Sequence, residues 1–108
     1  MSDRFQIKRG DTSPSIKYEL IPADITLAGA SVRFQMENRA RQTVIDRPAT
    51  IDQNTEPPIV SYAWQQGDTD IAGDYDAEFR VEFSDGSIET FPNCGFISVG
   101  ICRDIPDA

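Results

Sequence analysis

The sequence contains no histidine, and that absence removes the commonest general base and the commonest transition-metal ligand. Any nucleophilic triad built on imidazole is excluded with it. Cysteine is almost as scarce: Cys94 and Cys102 stand alone, far from the paired spacings of a zinc site. If residues 94–102 form one strand, a rise of ~3.3 Å per residue sets the two thiols roughly 26 Å apart. A disulfide needs Cα atoms within ~7 Å, so both are expected to be free. Glycine-rich phosphate loops are missing. No run of about 18 apolar residues occurs, so no helical membrane span is expected. The opening Met1-Ser-Asp-Arg-Phe-Gln-Ile-Lys-Arg9 lacks the apolar core of a secretory signal, which points to synthesis in a cytoplasm.

Basic residues are also few. Ten Lys and Arg face eighteen Asp and Glu, a net charge of −8, and no basic stripe interrupts the acidic background. A phosphate backbone would be repelled, so nucleic acid is not an expected partner. Arg39-Ala40-Arg41, between Glu37 and Asp46, reads as a solvated loop. The 108 residues fit one domain, residues 1–108, with a core over about 5–102 and a polar tail at 103–108. Hydrophobic residues make up 39%, below the usual ~45–50%, which implies a modest core.

What the chain does have is alternation. Tyr75, Ala77, Phe79, Val81 and Phe83 alternate with Asp76, Glu78, Arg80 and Glu82. That period of two marks a strand with one buried and one wet face. Ser84-Asp85-Gly86-Ser87 supplies a turn, since Gly and Asp tolerate positive φ. The same pattern recurs at Phe5–Ile7, at Ile16–Leu20, at Ala30–Met36, at Val60–Trp64 and at Ile97–Ile101. Residues 42–51 are β-rich but interrupted by Pro48, which predicts an edge strand or two short ones. One helical turn is the most that Pro22–Ala28 can hold. The whole predicts an all-β, immunoglobulin-like sandwich of about seven to eight short antiparallel strands without a structural disulfide. Gly73-Asp74-Tyr75-Asp76-Ala77 resembles the tyrosine corner of that fold, with Ala77 in place of the bridging cysteine. Gly73, Tyr75 and the inward-facing Trp64 are therefore expected to be structural.

Candidate chemistry is thin. Asp68, Asp70, Asp74 and Asp76 suggest calcium because Ca²⁺ takes clustered oxygens, yet the loop order of a calcium site is missing; solvated turns are expected, with no metal and no cofactor. Glu78, Glu82 and Glu89 fall on the wet face, where nothing in the pattern raises a pKa. Arg9-Gly10-Asp11 matches an integrin-binding tripeptide but sits where a turn wants those residues anyway. Arg9-Gly-Asp-Thr12 and Gln66-Gly-Asp-Thr69 echo each other without amounting to a repeat. Phe91 and Phe96 flank Pro92-Asn93-Cys94-Gly95, and an exposed aromatic there is a candidate protein anchor.

Five blocks carry a family resemblance: Ile7-Lys-Arg-Gly-Asp-Thr-Ser-Pro14, Leu27-Ala-Gly-Ala-Ser-Val-Arg-Phe-Gln-Met36, Tyr62-Ala-Trp-Gln-Gln-Gly-Asp-Thr-Asp70, Ala72-Gly-Asp-Tyr-Asp-Ala-Glu-Phe79 and Asp85-Gly-Ser-Ile-Glu-Thr-Phe-Pro-Asn93. In order and spacing they resemble the immunoglobulin-like N-terminal domain of phage baseplate upper proteins. The resemblance runs from about residue 5 to 101 and does not reach the helical and receptor-binding regions of the larger members. It implies a non-enzymatic bacteriophage virion protein, a small adaptor or decoration subunit of tail, baseplate, head–tail neck or capsid. Such a protein is made in the host bacterial cytoplasm and held in symmetric copies among other virion proteins, with no membrane partner. The expected contacts are Arg9, Asp11, Gln66, Asp68, Asp70, Phe91 and Phe96. The alternative is a host-surface glycan or receptor module, which requires an exposed Trp64.

Overall fold

A computed structural model describes residues 4–20, 27–52 and 58–105. The helical turn considered at 22–28 and the end of the polar tail lie largely outside those residues. Nine strands are present among them: β1 (Arg4–Lys8), β2 (Ile16–Glu19), β3 (Ser31–Glu37), β4 (Thr43–Pro48), β5 (Thr50–Asp52), β6 (Ile59–Tyr62), β7 (Gly73–Glu82), β8 (Ile88–Phe91) and β9 (Ile97–Cys102). They form two sheets, one ordered β1-β9-β7-β3-β4 with β8 also on β7, the other ordered β2-β6-β5. The expected β-sandwich is what the chain adopts. Two details differ from the expectation: the strand count is nine, and β1 runs parallel to β9. Both cysteines are free.

The alternating residues meet between the sheets. Across β3 and β7, Val32 faces Val81, Phe34 faces Phe79 and Met36 faces Ala77, and all six are buried. Phe34 is the hub. Its ring stacks on Tyr62 of the opposite sheet at 4.6 Å, meets Trp64 edge-on at 5.6 Å and leans on Phe79 at 5.1 Å. Aromatic pairs of this kind add roughly 0.5–1.5 kcal/mol each beyond the area they bury.

Pro48 acts as the sequence suggests. It closes the β4 ladder on β3, and after Ala49 the chain joins the other sheet as β5. Proline has no N–H for a ladder, so a strand crossing between sheets tolerates it. The β7–β8 turn is the expected one: Phe83 N–H donates to the Ser87 carbonyl at 2.8 Å, and Asp85 accepts from Ser87 N–H at 2.9 Å. Gly86 takes φ of 90° there. Tyr75 forms the corner, its hydroxyl donating to the Ile71 carbonyl at 2.7 Å. Gly73 precedes it with φ of 153°, a setting that side chains other than glycine's rarely adopt.

Because β9 covers the first half of β7 and β8 the second, the segment 92–96 must pass along the sheet between them. That passage positions the site described next.

Candidate functional site

Two polar sites stand out, and they are built on opposite terms. The first lies at one end of the sandwich. Asp68 accepts a hydrogen bond from the Tyr62 hydroxyl at 2.5 Å, one from Arg47 Nη1 at 2.5 Å and one from Gln65 N–H at 2.8 Å. Its side chain keeps only 4% of its exposure. Burial alone would raise its pKa; the hydroxyl, amide and guanidinium donors outweigh that and hold the carboxylate below its ordinary value of 3.8. This is a satisfied charge that ties the 65–70 loop to β4 and β6. Beside it, Val44, Gln66 and Ile71 line an open cleft of about 320 Å³ with Arg47 and Tyr75.

The loops at 9–14 and 66–70 are brought together at the same end. Gly10 N–H donates to the Thr69 carbonyl at 3.0 Å, and the buried Thr69 hydroxyl donates to the Asp11 carbonyl at 2.8 Å. The two echoing tetrapeptides thus touch. Arg9 is engaged with Asp104 at 2.9 Å, so the Arg-Gly-Asp tripeptide does not present its arginine freely. Asp11, Gln66 and Asp70 remain exposed. Asp68 is removed from the contact candidates by its burial.

The second site lies on the outer face of the larger sheet. Glu37 stands opposite Asp76, and Gln35 opposite Glu78, across β3 and β7. Phe96, arriving just before β9, lies over this patch with 48% of its surface exposed. With Thr43 and Met36 these residues line a cleft of about 120 Å³. The β3–β4 turn overhangs it: Glu37, Asn38, Arg39, Arg41, Asp76 and Phe96 share an adjoining hollow. Asn38 shapes that turn by accepting from Ala40 and Gln42 N–H at 2.9 and 3.0 Å.

The electrostatics here are unsatisfied. The Glu78 side chain is half-buried and, like that of Glu37, forms no hydrogen bond or ion pair among the described residues. Burial, and then repulsion from Glu37, push its pKa above the ordinary 4.5. Among the described residues, Asp76 has only Arg39 as an ion-pair partner, at 3.8 Å with the arginine side chain 66% exposed, a geometry worth little in water. The expectation that nothing perturbs Glu78 is therefore corrected: burial in the cleft it shares with Phe96, and then the Glu37 carboxylate, perturb it.

Phe91 is corrected as well. It is 1% exposed and packs in the core, so of the two phenylalanines only Phe96 is an available anchor. Trp64 is buried at 4% exposure, as parity required. Its indole N–H has no acceptor among the described residues, and it offers no platform for a sugar ring. Asp76 and Glu78 fall on the wet face of their strand by parity, and Glu37 falls on the face opposite Val32, Phe34 and Met36 in the same way. Their convergence under Phe96 was not apparent, because it depends on the β3–β7 register and on a residue eighteen positions downstream of Glu78. Among the described residues, no group of three or more cysteines and carboxylates is placed to hold a metal ion.

No family model matches the chain, and no curated protein matches it. Among solved structures, the crystal structure of CopC from Methylosinus trichosporium OB3b matches with a TM-score of 0.59 at 16% identity, over 99% of this chain and 91% of that one. At that identity the likeness shows the fold, a β-sandwich. The functional expectation of a bacteriophage virion part, adaptor or host-surface module, is overturned here: a solved protein that matches the chain is CopC rather than a virion component.

Proposed function

We propose that this chain is a non-catalytic binding module that docks a partner protein in the groove under Phe96. The observation carrying the reading is the half-exposed Phe96 ring set over Glu37 and Glu78, neither of which is paired among the described residues. An aromatic left in water beside dehydrated charge costs stability, and such a cost persists where another molecule removes it. Aromatic anchors in shallow clefts are the usual centre of a protein contact. Catalysis has no comparable support: histidine is absent, and Glu78, whose pKa is raised, has only the carboxylates of Glu37 and Asp76 beside it in the cleft, with no cysteine, serine or lysine nucleophile among the lining residues.

A photo-cross-linking amino acid placed at position 96, with a second variant carrying it at exposed Lys17 on the other sheet, tests the reading in the cell of origin. A discrete adduct from position 96 and none from position 17 is the expected result. Equal labelling from both positions, or none from 96, would overturn it.

A further inference from the structure

The groove has a chemistry that narrows its occupant. We infer that it receives an arginine side chain from an extended segment of a partner protein, the stem against Phe96 and the guanidinium between Glu37 and Glu78. This rests on the docking reading above and goes beyond it by naming what is bound.

Four observations converge. The charge is complementary: Glu37 and Glu78 are ionisable groups of the cleft whose side chains are unpaired among the described residues, and they sit on adjacent strands two residues apart in register, on the same face. Diagonal neighbours across such a pair lie roughly 7–8 Å apart, a span that one planar, forked guanidinium bridges better than an ammonium does. The size is right for a single side chain, since the cleft measures about 120 Å³, and a cavity of about 150 Å³ is known to hold benzene. The wall is right for a cation with an apolar stem, because an exposed phenyl face attracts guanidinium and covers methylenes. A bare metal ion is a poorer fit, as these acids are not grouped to ligate one. Finally, the chain itself brings Arg39 to the rim, 3.8 Å from Asp76 with its side chain 66% exposed, so this acidic face already draws a guanidinium.

The test uses the intact chain, isotopically labelled for amide NMR, and two blocked pentapeptides, Gly-Ala-Arg-Ala-Gly and the same peptide with citrulline, the uncharged isostere, in place of arginine. The arginine peptide is expected to shift the amides of Glu37, Glu78 and Phe96 saturably. Citrulline is expected to bind roughly tenfold more weakly, the difference made by one charge-assisted contact. Binding should fall when salt is raised to about 0.5 M, where the screening length is a few ångströms. Phe96→Ser and the double change E37Q/E78Q should each abolish the local shifts while the rest of the spectrum stays in place. Equal affinity for the citrulline peptide overturns the arginine assignment and leaves the docking reading intact. Shifts scattered over the acidic surface without saturation, or no shifts at all, overturn it too. The cross-link from position 96 then decides the docking reading separately.

Discussion

Asp68 and Glu78 are both acidic, both withdrawn from water and both attached to the same sandwich, yet their surroundings point in opposite directions. Three donors converge on Asp68 and depress its pKa. Glu78 meets only burial and a second carboxylate, and its pKa rises. The first is a charge that the fold has neutralised for its own stability. The second is a charge the fold leaves open. Phe91 and Phe96 repeat the contrast five residues apart, one sealed in the core and one half in solvent. Groups that hold a fold together are satisfied within it, and groups that are left unsatisfied are where a second molecule has something to offer.

The sharpest break between the two regions should come from the phenylalanines. Phe91→Ala removes a fully buried ring and is expected to cost about 3–5 kcal/mol. Phe96→Ala should cost under about 1 kcal/mol. Urea denaturation of both variants checks the difference, and a large loss at Phe96 would make it a packing residue. Next in size, Asp68→Ala strips partners from the Tyr62 hydroxyl and Arg47, an expected loss of about 2–3 kcal/mol. Tyr75→Phe, which removes the single corner bond to Ile71, should cost about 1 kcal/mol in the same assay. Smallest and opposite in sign, Glu78→Gln is expected to raise stability at neutral pH by a few tenths to about 1 kcal/mol, because it deletes a dehydrated, unpaired charge.

The pH dependence separates the two acids further. The folded pKa of Asp68 lies below its ordinary 3.8, so its contribution is complete above that pH and is lost as pH falls through the folded value. Glu78 does the reverse. Its folded pKa lies above 4.5, so its ionisation costs stability at neutral pH, and the cost fades as pH falls through the folded pKa towards 4.5. Stability against pH should therefore lose an acid-side decline in Asp68→Asn and lose an acid-side relief in Glu78→Gln.

Much of the fold was legible because period-two alternation is a local property. Tyr75 to Val81 read as a half-buried strand, Asp85-Gly86 as its turn, and Pro48 as a break, and each is found so. The corner bond from Tyr75 was legible too, from five residues alone. Pairing was not. That β1 lies parallel to β9 depends on partners more than ninety positions apart, and no local pattern encodes it. The groove failed to appear for the same reason. Parity placed Glu37 and Glu78 on wet faces, but only the register of β3 on β7 puts them side by side, and only the path from β8 to β9 lays Phe96 across them. Phe91 misled because four of its near neighbours are turn residues, while its own place on β8 opposite Phe79 turns it inward.

One titration bears most directly on the contrast between the two acids: the side-chain carboxylate shifts of Asp68 and Glu78 followed by NMR against pH in the same sample. The expected result is Asp68 below 3.8 and Glu78 above 4.5. A Glu78 that titrates at or below 4.5 would show a solvated or internally paired carboxylate and would contradict the reading of the Phe96 groove as an open site.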